Sequence, residues 1–312
     1  MRSLLVFPIV IAALFLLHIQ PTNAGCFPPV GNVINCTDGP PNPDLMGVQE
    51  SANPNNLTVN VLENAQIDTQ GQPGNLDAIR TGGGNEQINV TNASLRAESA
   101  GIESEAGDDV INVILSIINS IERAIESGND NDTVNVNGSN ILSTEEIAIQ
   151  SGNDNDKVTV ENSQVTSLVN DGIETANHDD MVTITNSIIT AGPGFFAVDL
   201  GNGNDMLTLN NGANLQGGID CRDDIDTLVF AMQVPTDQIA AITAQIESLD
   251  PQGDSIFINN LFYEWQDCEE LVAQLEPGFV STVPTLSQWG LIIAAALLGI
   301  VGFMVVRRRQ IA

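Results

Sequence analysis

Acidic side chains recur at one place of a repeated thirteen-residue segment, and their spacing suits the chemistry of cation binding. Residues 148–160 read AIQSGNDNDKVTV, and six related segments begin at Ala78, Gly101, Ala124, Gly172, Ala197 and Gly218. The ninth place of all seven segments is acidic, in the series Glu86, Asp109, Asp132, Asp156, Asp180, Asp205 and Asp226. Carboxylate oxygens are the ligands that Ca²⁺ prefers. These seven residues are therefore candidate calcium ligands, together with Asp130 and Asp154, which lie two places earlier in their segments.

The spacing of the segments indicates the fold that must position these acids. Successive segments start 21 to 25 residues apart, a period typical of a stacked repeat rather than of one globular core. Within each copy apolar and polar residues alternate, as at Val158 and Val160, and Gly, Asn and Asp provide tight turns. One such coil cannot bury its own apolar face, so neighbouring coils must stack. The pattern predicts an all-β chain, a parallel β-helix of about eight coils and roughly 40 Å in length.

Two resemblances refine this expectation. A coil of three short strands resembles the right-handed β-solenoids common in bacterial surface proteins and polysaccharide lyases, which implies a right-handed helix. The segment GNGNDMLTL at 201–209 resembles the calcium-binding RTX nonapeptide, with Asn202 in place of one glycine. That resemblance implies Ca²⁺ between successive turns, although the RTX turn recurs about every nine residues and this one recurs once per coil.

Stacking would place the seven acids in one column, where like charges must be compensated. At about 4.8 Å, neighbouring carboxylates repel by roughly 1 kcal/mol even in water. One explanation is that each carboxylate accepts hydrogen bonds from backbone N–H groups of its own turn. The other is that divalent cations such as Ca²⁺ are shared by successive turns. The sequence leaves both explanations open.

A bend residue follows one strand of each coil and supports the stacked arrangement. It is asparagine at Asn92, Asn162, Asn186 and Asn211, which predicts a left-handed backbone conformation and an asparagine ladder. The frame departs from asparagine at Leu115 and Gly138.

The charge distribution excludes one class of function. The chain has 40 acidic and nine basic residues, and its net charge is -31. Four of the nine are Arg2 near the start and Arg307, Arg308 and Arg309 near the end, so all the acids lie between basic termini. Such a body repels nucleic acids and anionic lipid headgroups, and we expect no nucleic-acid partner.

The N-terminal segment and the cysteines indicate export. Residues 1–24 have a basic start, an apolar run and small residues before Gly25, which predicts a secretory signal peptide. A lipoprotein signal that uses Cys26 is the alternative. The chain has four cysteines, Cys26, Cys36, Cys221 and Cys268, and an even number in an exported chain predicts two disulfides. Proximity in sequence favours Cys26 with Cys36 and Cys221 with Cys268; free thiols and a zinc site are the alternatives.

The C-terminal tail carries a recognisable signal. Its uncharged run from Leu286 to Val306 is long enough to span a bilayer, and the arginines that follow are expected on the cytoplasmic side. The tail resembles the IPTL-CTERM type of C-terminal sorting signal of Gram-negative bacteria. The matching positions are Val283, Pro284, Thr285, Leu286, Trp289, Gly290 and the cluster Arg307, Arg308 and Arg309. This resemblance implies an exosortase-like membrane protease as a partner, a membrane anchor before processing, and final placement at the cell surface or in the extracellular matrix. An ordinary single-pass anchor is the alternative.

These observations divide the chain into six parts. They are a signal peptide at 1–24, an N-terminal cap at 25–52, β-helix repeats at 53–231, an α+β cap at 232–275, a linker at 276–282 and the sorting tail at 283–312. In the α+β cap, residues 235–249 and 267–275 have the patterns of helices, and residues 255–265 alternate as a strand.

The repeat argues against an enzyme. A catalytic pair of acids should break the regular pattern, whereas these acids define it. The repeat region has one histidine, His178, which is expected to be a solvated turn residue, and its few basic residues occupy different places in the coil. We therefore predict no catalytic residues and a structural or adhesive role, with extracellular polysaccharide as a candidate partner. A polysaccharide lyase or glycoside hydrolase on the same scaffold is the alternative.

Overall fold

The computed structural model describes residues 25–26, 31–37, 44, 46–52, 55–74 and 76–278. The body is a right-handed parallel β-helix of about eight turns, as the sequence predicts. The predicted signal peptide at 1–24 and the sorting tail at 283–312 lie outside the described residues. Within the described part of the chain, no helix is long and apolar enough to cross a membrane.

Three sheets form the sides of the β-helix, and each coil from Thr58–Val61 to Gly218–Asp220 contributes one strand to each of them in turn. Sheet 1 has eleven strands: Gly25–Cys26, Val33–Thr37, Thr58–Val61, Gln87–Thr91, Val110–Ile114, Thr133–Asn137, Lys157–Glu161, Met181–Thr185, Met206–Asn210, Thr227–Ala231 and Glu270–Ala273. Sheet 2 has seven strands: Gln66–Asp68, Ser94–Ala97, Ile117–Ser120, Asn140–Ser143, Gln164–Ser167, Ile188–Thr190 and Asn214–Gln216. Sheet 3 has ten strands: Val48–Gln49, Ile79–Arg80, Ile102–Glu103, Ile125–Asn129, Ile149–Asn153, Ile173–Glu174, Phe196–Asp199, Gly218–Asp220, Leu261–Gln266 and Gly253–Ile258.

Aliphatic columns fill the interior. The strands pair in register from coil to coil, so equivalent residues stack; Val158 pairs with Val134 on one side and with Val182 on the other. These side chains are fully buried, while the residues between them face outward. Alternation within a strand selects the inward face, and coil stacking supplies the neighbours that bury it.

The corner between sheets 1 and 2 has the predicted left-handed bend. The backbone φ is positive at Asn92, Asn162 and Asn186, while Gly212 rather than Asn211 adopts it in a later coil. The predicted asparagine ladder is only partly formed. Within the described residues, a single side-chain hydrogen bond joins two of the four asparagines, from Asn186 Nδ2 to Asn162 Oδ1 at 2.9 Å.

A serine column supports this corner in place of a full asparagine ladder. Each serine follows the bend residue, and its backbone N–H donates to the serine Oγ of the next coil. The three bonds of 3.0 Å run from Ser116 to Ser139, from Ser139 to Ser163 and from Ser163 to Ser187. A serine therefore stabilises the bend of the coil before it.

The C-terminal cap is a further partial coil closed by a helix. The predicted first helix is present at Ile239–Ile246 and buries Ile246. The predicted strand is a hairpin, in which Gly253–Ile258 pairs antiparallel with Leu261–Gln266 around two residues of positive φ, Asn259 and Asn260.

The prediction of a second helix at 267–275 is wrong, because Glu270–Ala273 is a strand. It pairs in parallel with Thr227–Ala231, and the exposed edge of sheet 1 supplies backbone hydrogen bonds that a helix would leave unused. Local helix propensity therefore yields to the template of the preceding coil.

Both ends are closed by disulfides with the pairing that sequence proximity favours. Cys26 is bonded to Cys36 across an antiparallel pair of strands at the N-terminal end of sheet 1. Cys221 is bonded to Cys268, which ties the last regular coil to the cap. The structure also shows that β-helix pairing begins inside the predicted N-terminal cap, because Val33–Thr37 and Val48–Gln49 are already strands of sheets 1 and 3.

Candidate functional site: the acidic turn and its carboxyl column

The acidic turn comprises the fifth to ninth places of each repeat segment and connects sheet 3 to sheet 1. In the coil of residues 148–160 its backbone has positive φ at Gly152 and at Asp154. A Cβ atom on Gly152 would lie 1.9 Å from the carbonyl oxygen of Gly128 in the preceding coil. The Gly-Asn-Asp composition is thus required by a sharp turn in which backbones of neighbouring coils approach closely.

The seven acids at the ninth place form a column, here called the carboxyl column, as predicted. In each coil the backbone N–H of the acid donates to a carboxyl oxygen of the acid in the next coil. The bonds run from Glu86 to Asp109, Asp109 to Asp132, Asp132 to Asp156, Asp156 to Asp180, Asp180 to Asp205 and Asp205 to Asp226, at 2.7 to 2.8 Å. Glu269 of the cap ends the series by accepting from the Asp226 N–H at 2.8 Å.

This pattern corrects one detail of the sequence interpretation. The carboxyl groups of the six aspartates accept from backbone N–H groups, as one of the two explanations proposes, but the donor belongs to the preceding coil and not to the acid's own turn. Each of the six aspartates therefore joins two coils through its carboxyl group, whereas both carboxyl oxygens of Glu86, at the start of the column, lack a hydrogen-bond partner among the described residues.

Burial raises the pKa of every member of the carboxyl column. All seven side chains are between 0% and 3% exposed. Loss of hydration is the largest cause in each case, because it disfavours the charged form. The resulting pKa is about 8 for Glu86 and Asp132, about 9 for Asp180, about 7 for Asp156, Asp205 and Asp226, and about 6 for Asp109. Neighbouring column acids add to the rise at Glu86, Asp132, Asp180 and Asp226.

Every column acid has a buried carboxyl oxygen without a hydrogen-bond partner among the described residues, which favours the protonated form of the group. The Oδ2 atoms of Asp132 and Asp156 are buried and have no hydrogen-bond partner among the described residues. Ser127 and Ser151, at the fourth place of the same coils, lie close enough to lower the pKa of these acids. The Ser127 hydroxyl, however, already donates to the Ser151 carbonyl of the next coil at 2.9 Å. A protonated carboxyl could donate to the serine oxygen, whereas an ionised one would share the hydroxyl proton with that carbonyl.

Calcium binding stays a prediction for these residues. Among the described residues, no group of three or more His, Cys, Asp or Glu side chains is arranged to hold a metal ion. The two earlier candidates lie outside the column: Asp130 is exposed and Asp154 is half-buried. The Asp154 carboxylate accepts from the Asp130 N–H at 3.4 Å, and the Asp154 N–H donates to His178 Nδ1 at 3.3 Å. His178 is thus a turn residue, as expected.

Two further ladders in the acidic turn were missed by the sequence interpretation. At the sixth place, amide side chains bond in series from Asn202 through Asn177 and Asn153 to Asn129, at 2.7 to 3.1 Å. At the eighth place the direction of bonding is opposite to that of the carboxyl column: the Asn204 N–H donates back to Asp179 at 2.9 Å. The sequence contained a signal for the first ladder, because asparagine recurs at the sixth place of four consecutive segments. Hydrogen bonds from Asn204 lower the pKa of the exposed Asp179.

The basic side chains of the described coils do not pair with the carboxyl column; Arg96 pairs with Asp68 on sheet 2, and most of the others pair with acids on or beside sheet 3. Arg80 lies 3.1 Å from Glu103 and 2.8 Å from Glu105, and Arg123 lies 3.1 Å from Glu126. A shallow groove beside them is lined by residues of this sheet and its turns, and no lining residue is aromatic. Burial, followed by repulsion from Asp77, raises the pKa of Glu103 to about 7.

Comparison with known proteins identifies the tail alone. Residues 283–310 match the model of the IPTL-CTERM motif. The chain carries an IPTL-CTERM sorting signal. This motif indicates a surface-sorted, exported protein and implies processing by an exosortase-type membrane protease. No curated protein and no solved structure matches the chain.

Proposed function

We propose that this chain is a surface-sorted β-helical rod with a structural or adhesive role in the bacterial envelope or extracellular matrix. The observation that carries the proposal is the use of the acids. The acids that define the repeat are buried in the wall of the β-helix, where the carboxyl group of each aspartate accepts a hydrogen bond from the backbone of the neighbouring coil. Acids used in this way stabilise a regular scaffold and are not presented to a substrate.

The sorting route makes its own prediction. Replacing Pro284 and Thr285 with alanine should leave an unprocessed, membrane-retained precursor, because the protease would lose part of its recognition sequence. The matched control is Gln288→Ala, in the same tail but outside the residues that carry the resemblance. Immunoblots of membrane and surface fractions report both size and location. If the double variant is processed like the native chain, the tail is an ordinary anchor.

An extracellular polysaccharide is the partner that we propose for the adhesive role. The purified chain, incubated with matrix polysaccharide from its own host, should sediment with the polysaccharide and should not shorten the polysaccharide. The sheet 3 groove offers amides and carboxylates for hydrogen bonding to sugar hydroxyls. Reducing ends are counted in the same samples. A rise in reducing ends would contradict the structural role and favour the carbohydrate-active enzyme.

Calcium stabilisation is a separate proposal within this function. Cations would have to lie on the exposed side of the acidic turn, where Asp130 and Asp154 are accessible, since the column acids are closed to solvent. Excess chelator should then lower the melting temperature, and an unchanged melting temperature would remove calcium from the account.

A further inference from the structure

The cap hairpin carries two phenylalanines on its outer face that packing does not explain. Phe257 and Phe262 are cross-strand partners, with ring centroids 4.9 Å apart, and they are 68% and 43% exposed. The inner face of the same hairpin, with Tyr263 and Trp265, is buried in the core. Alternation in a half-buried hairpin predicts polar residues outside, and Glu264 on this face fits that rule. Adjacent exposed apolar rings in such an acidic body therefore indicate a contact surface.

The position of this pair relates it to the tail. The Asn259 side chain at the hairpin tip donates to the Gln233 carbonyl at 2.9 Å. The Gly278 N–H, at the last described residue, donates to the Val234 carbonyl at 2.9 Å. The hairpin tip and the exit of the chain toward its tail thus contact two consecutive residues of one strand, Gln233–Val234.

The length of the connecting chain restricts what the pair can meet. The apolar run of the tail begins at Leu286, eight residues beyond Gly278. Eight residues span at most about 26–29 Å when fully extended. While the tail is anchored, the cap end of the β-helix cannot move further than this from the bilayer. Tethering raises the effective concentration of the membrane surface at Phe257 and Phe262, so a contact too weak to form in free solution becomes populated.

We propose that the Phe257–Phe262 pair inserts into the interface of the lipid bilayer while the tail is anchored, and that this contact holds the cap end of the rod against the membrane. The inference rests on the proposed membrane anchoring of the tail. The net negative charge of the body makes zwitterionic lipid the appropriate surface, because anionic headgroups would repel it. Removal of the tail would end the tether and release the rod.

Brominated-lipid quenching of tryptophan fluorescence tests the contact in the full chain, reconstituted in phosphatidylcholine nanodiscs. The chain has two tryptophans, Trp265, which is buried in the cap, and Trp289 in the tail. In a Trp289→Phe background, Phe257→Trp should lose most of its added emission when the lipid is brominated. The matched control is Leu115→Trp in the same background, because Leu115 is 64% exposed in the middle of the rod, and its emission should not change.

Quenching of Trp289 in the native chain reports whether the tail is anchored in the bilayer, so it distinguishes a failure of the anchor from a failure of the phenylalanine contact. If Trp289 is quenched and the F257W tryptophan is not, the anchor holds and the membrane contact is refuted. Equal quenching in F257W and L115W would also refute it, because the rod would then lie along the bilayer. A blue-shifted, unquenched emission in F257W would mean that the tail or a second copy covers the pair. If Trp289 itself escapes quenching, the anchoring fails and the inference fails with it.

Discussion

Replacing one member of the carboxyl column with its amide isolates the effect of the buried charge. Asp156 accepts the Asp132 N–H at 2.8 Å, and its second oxygen is buried without a partner among the described residues. Asp156→Asn keeps the acceptor and places an N–H donor beside the Ser151 hydroxyl oxygen. Asp156→Ala removes the acceptor and leaves the buried Asp132 N–H unbonded, which costs about 1–3 kcal/mol.

The magnitude follows from the pKa and its sign. The pKa of Asp156 rises from 3.8 to about 7 on folding, which corresponds to roughly 4 kcal/mol for an independent group. A raised pKa contributes stability that is complete below pH 3.8 and is lost as the pH rises through the folded value. Seven contributions of this size would exceed a typical stability of roughly 5–15 kcal/mol, so they cannot be summed, and neighbouring acids raise one another's pKa at Glu86, Asp132, Asp180 and Asp226. One amide should therefore recover about 1–3 kcal/mol at alkaline pH.

Chemical denaturation at pH 4 and pH 9, with and without chelator, measures these effects. At pH 4 the folded acid is neutral, and D156N should be within about 0.5 kcal/mol of the native chain. At pH 9 D156N should be more stable than the native chain, whereas D156A should be less stable at both values. If D156N is as destabilised as D156A at pH 9, the ionised carboxylate is required, and the proton-based account of the column is refuted.

Two further changes test other parts of the scaffold. Gly152→Ala should cost about 2–4 kcal/mol of stability, because it adds a Cβ at positive φ against a carbonyl of the preceding coil. The control Gly83→Ala should cost much less, because a Cβ there meets no atom within 4 Å. Equal melting temperatures for the two variants would contradict the close approach of the coils at Gly152. Removing the Cys221–Cys268 disulfide, which closes a sequence separation of 47 residues, should cost about 4 kcal/mol by chain entropy. Proteolysis of the cap should then precede proteolysis of the repeats, and simultaneous cleavage would show that the disulfide does not hold the cap.

The β-helix could be predicted from the sequence because the same pattern of apolar, turn and acidic residues recurs in successive coils. Strand residues such as Val158 have equivalents in every coil, so one correct alignment fixes the strands, the inward face and the carboxyl column at once. The bend at Asn162 followed from the same logic, because a left-handed residue after a strand favours asparagine.

What the sequence could not supply was the partner of each polar group. The side chain of Asp156 could bond within its own turn or to the preceding coil, and this choice depends on the distance between coils, which no local pattern contains. The strand Glu270–Ala273 was missed for a related reason, because its conformation comes from pairing with a distant strand. The exposure of Phe257 likewise depends on the way the hairpin closes the helix.

Proton release on unfolding tests the central claim, which is that the carboxyl column is a buried ladder of protonated acids within a structural rod. Calorimetric unfolding of the chain at pH 6, in two buffers of different ionisation enthalpy, counts the protons that leave. The account predicts a net release of several protons, unchanged by chelator, because column acids that are protonated in the fold become ionised near their ordinary pKa of 3.8 once unfolded. No release, or release that appears only after calcium is removed, would contradict it.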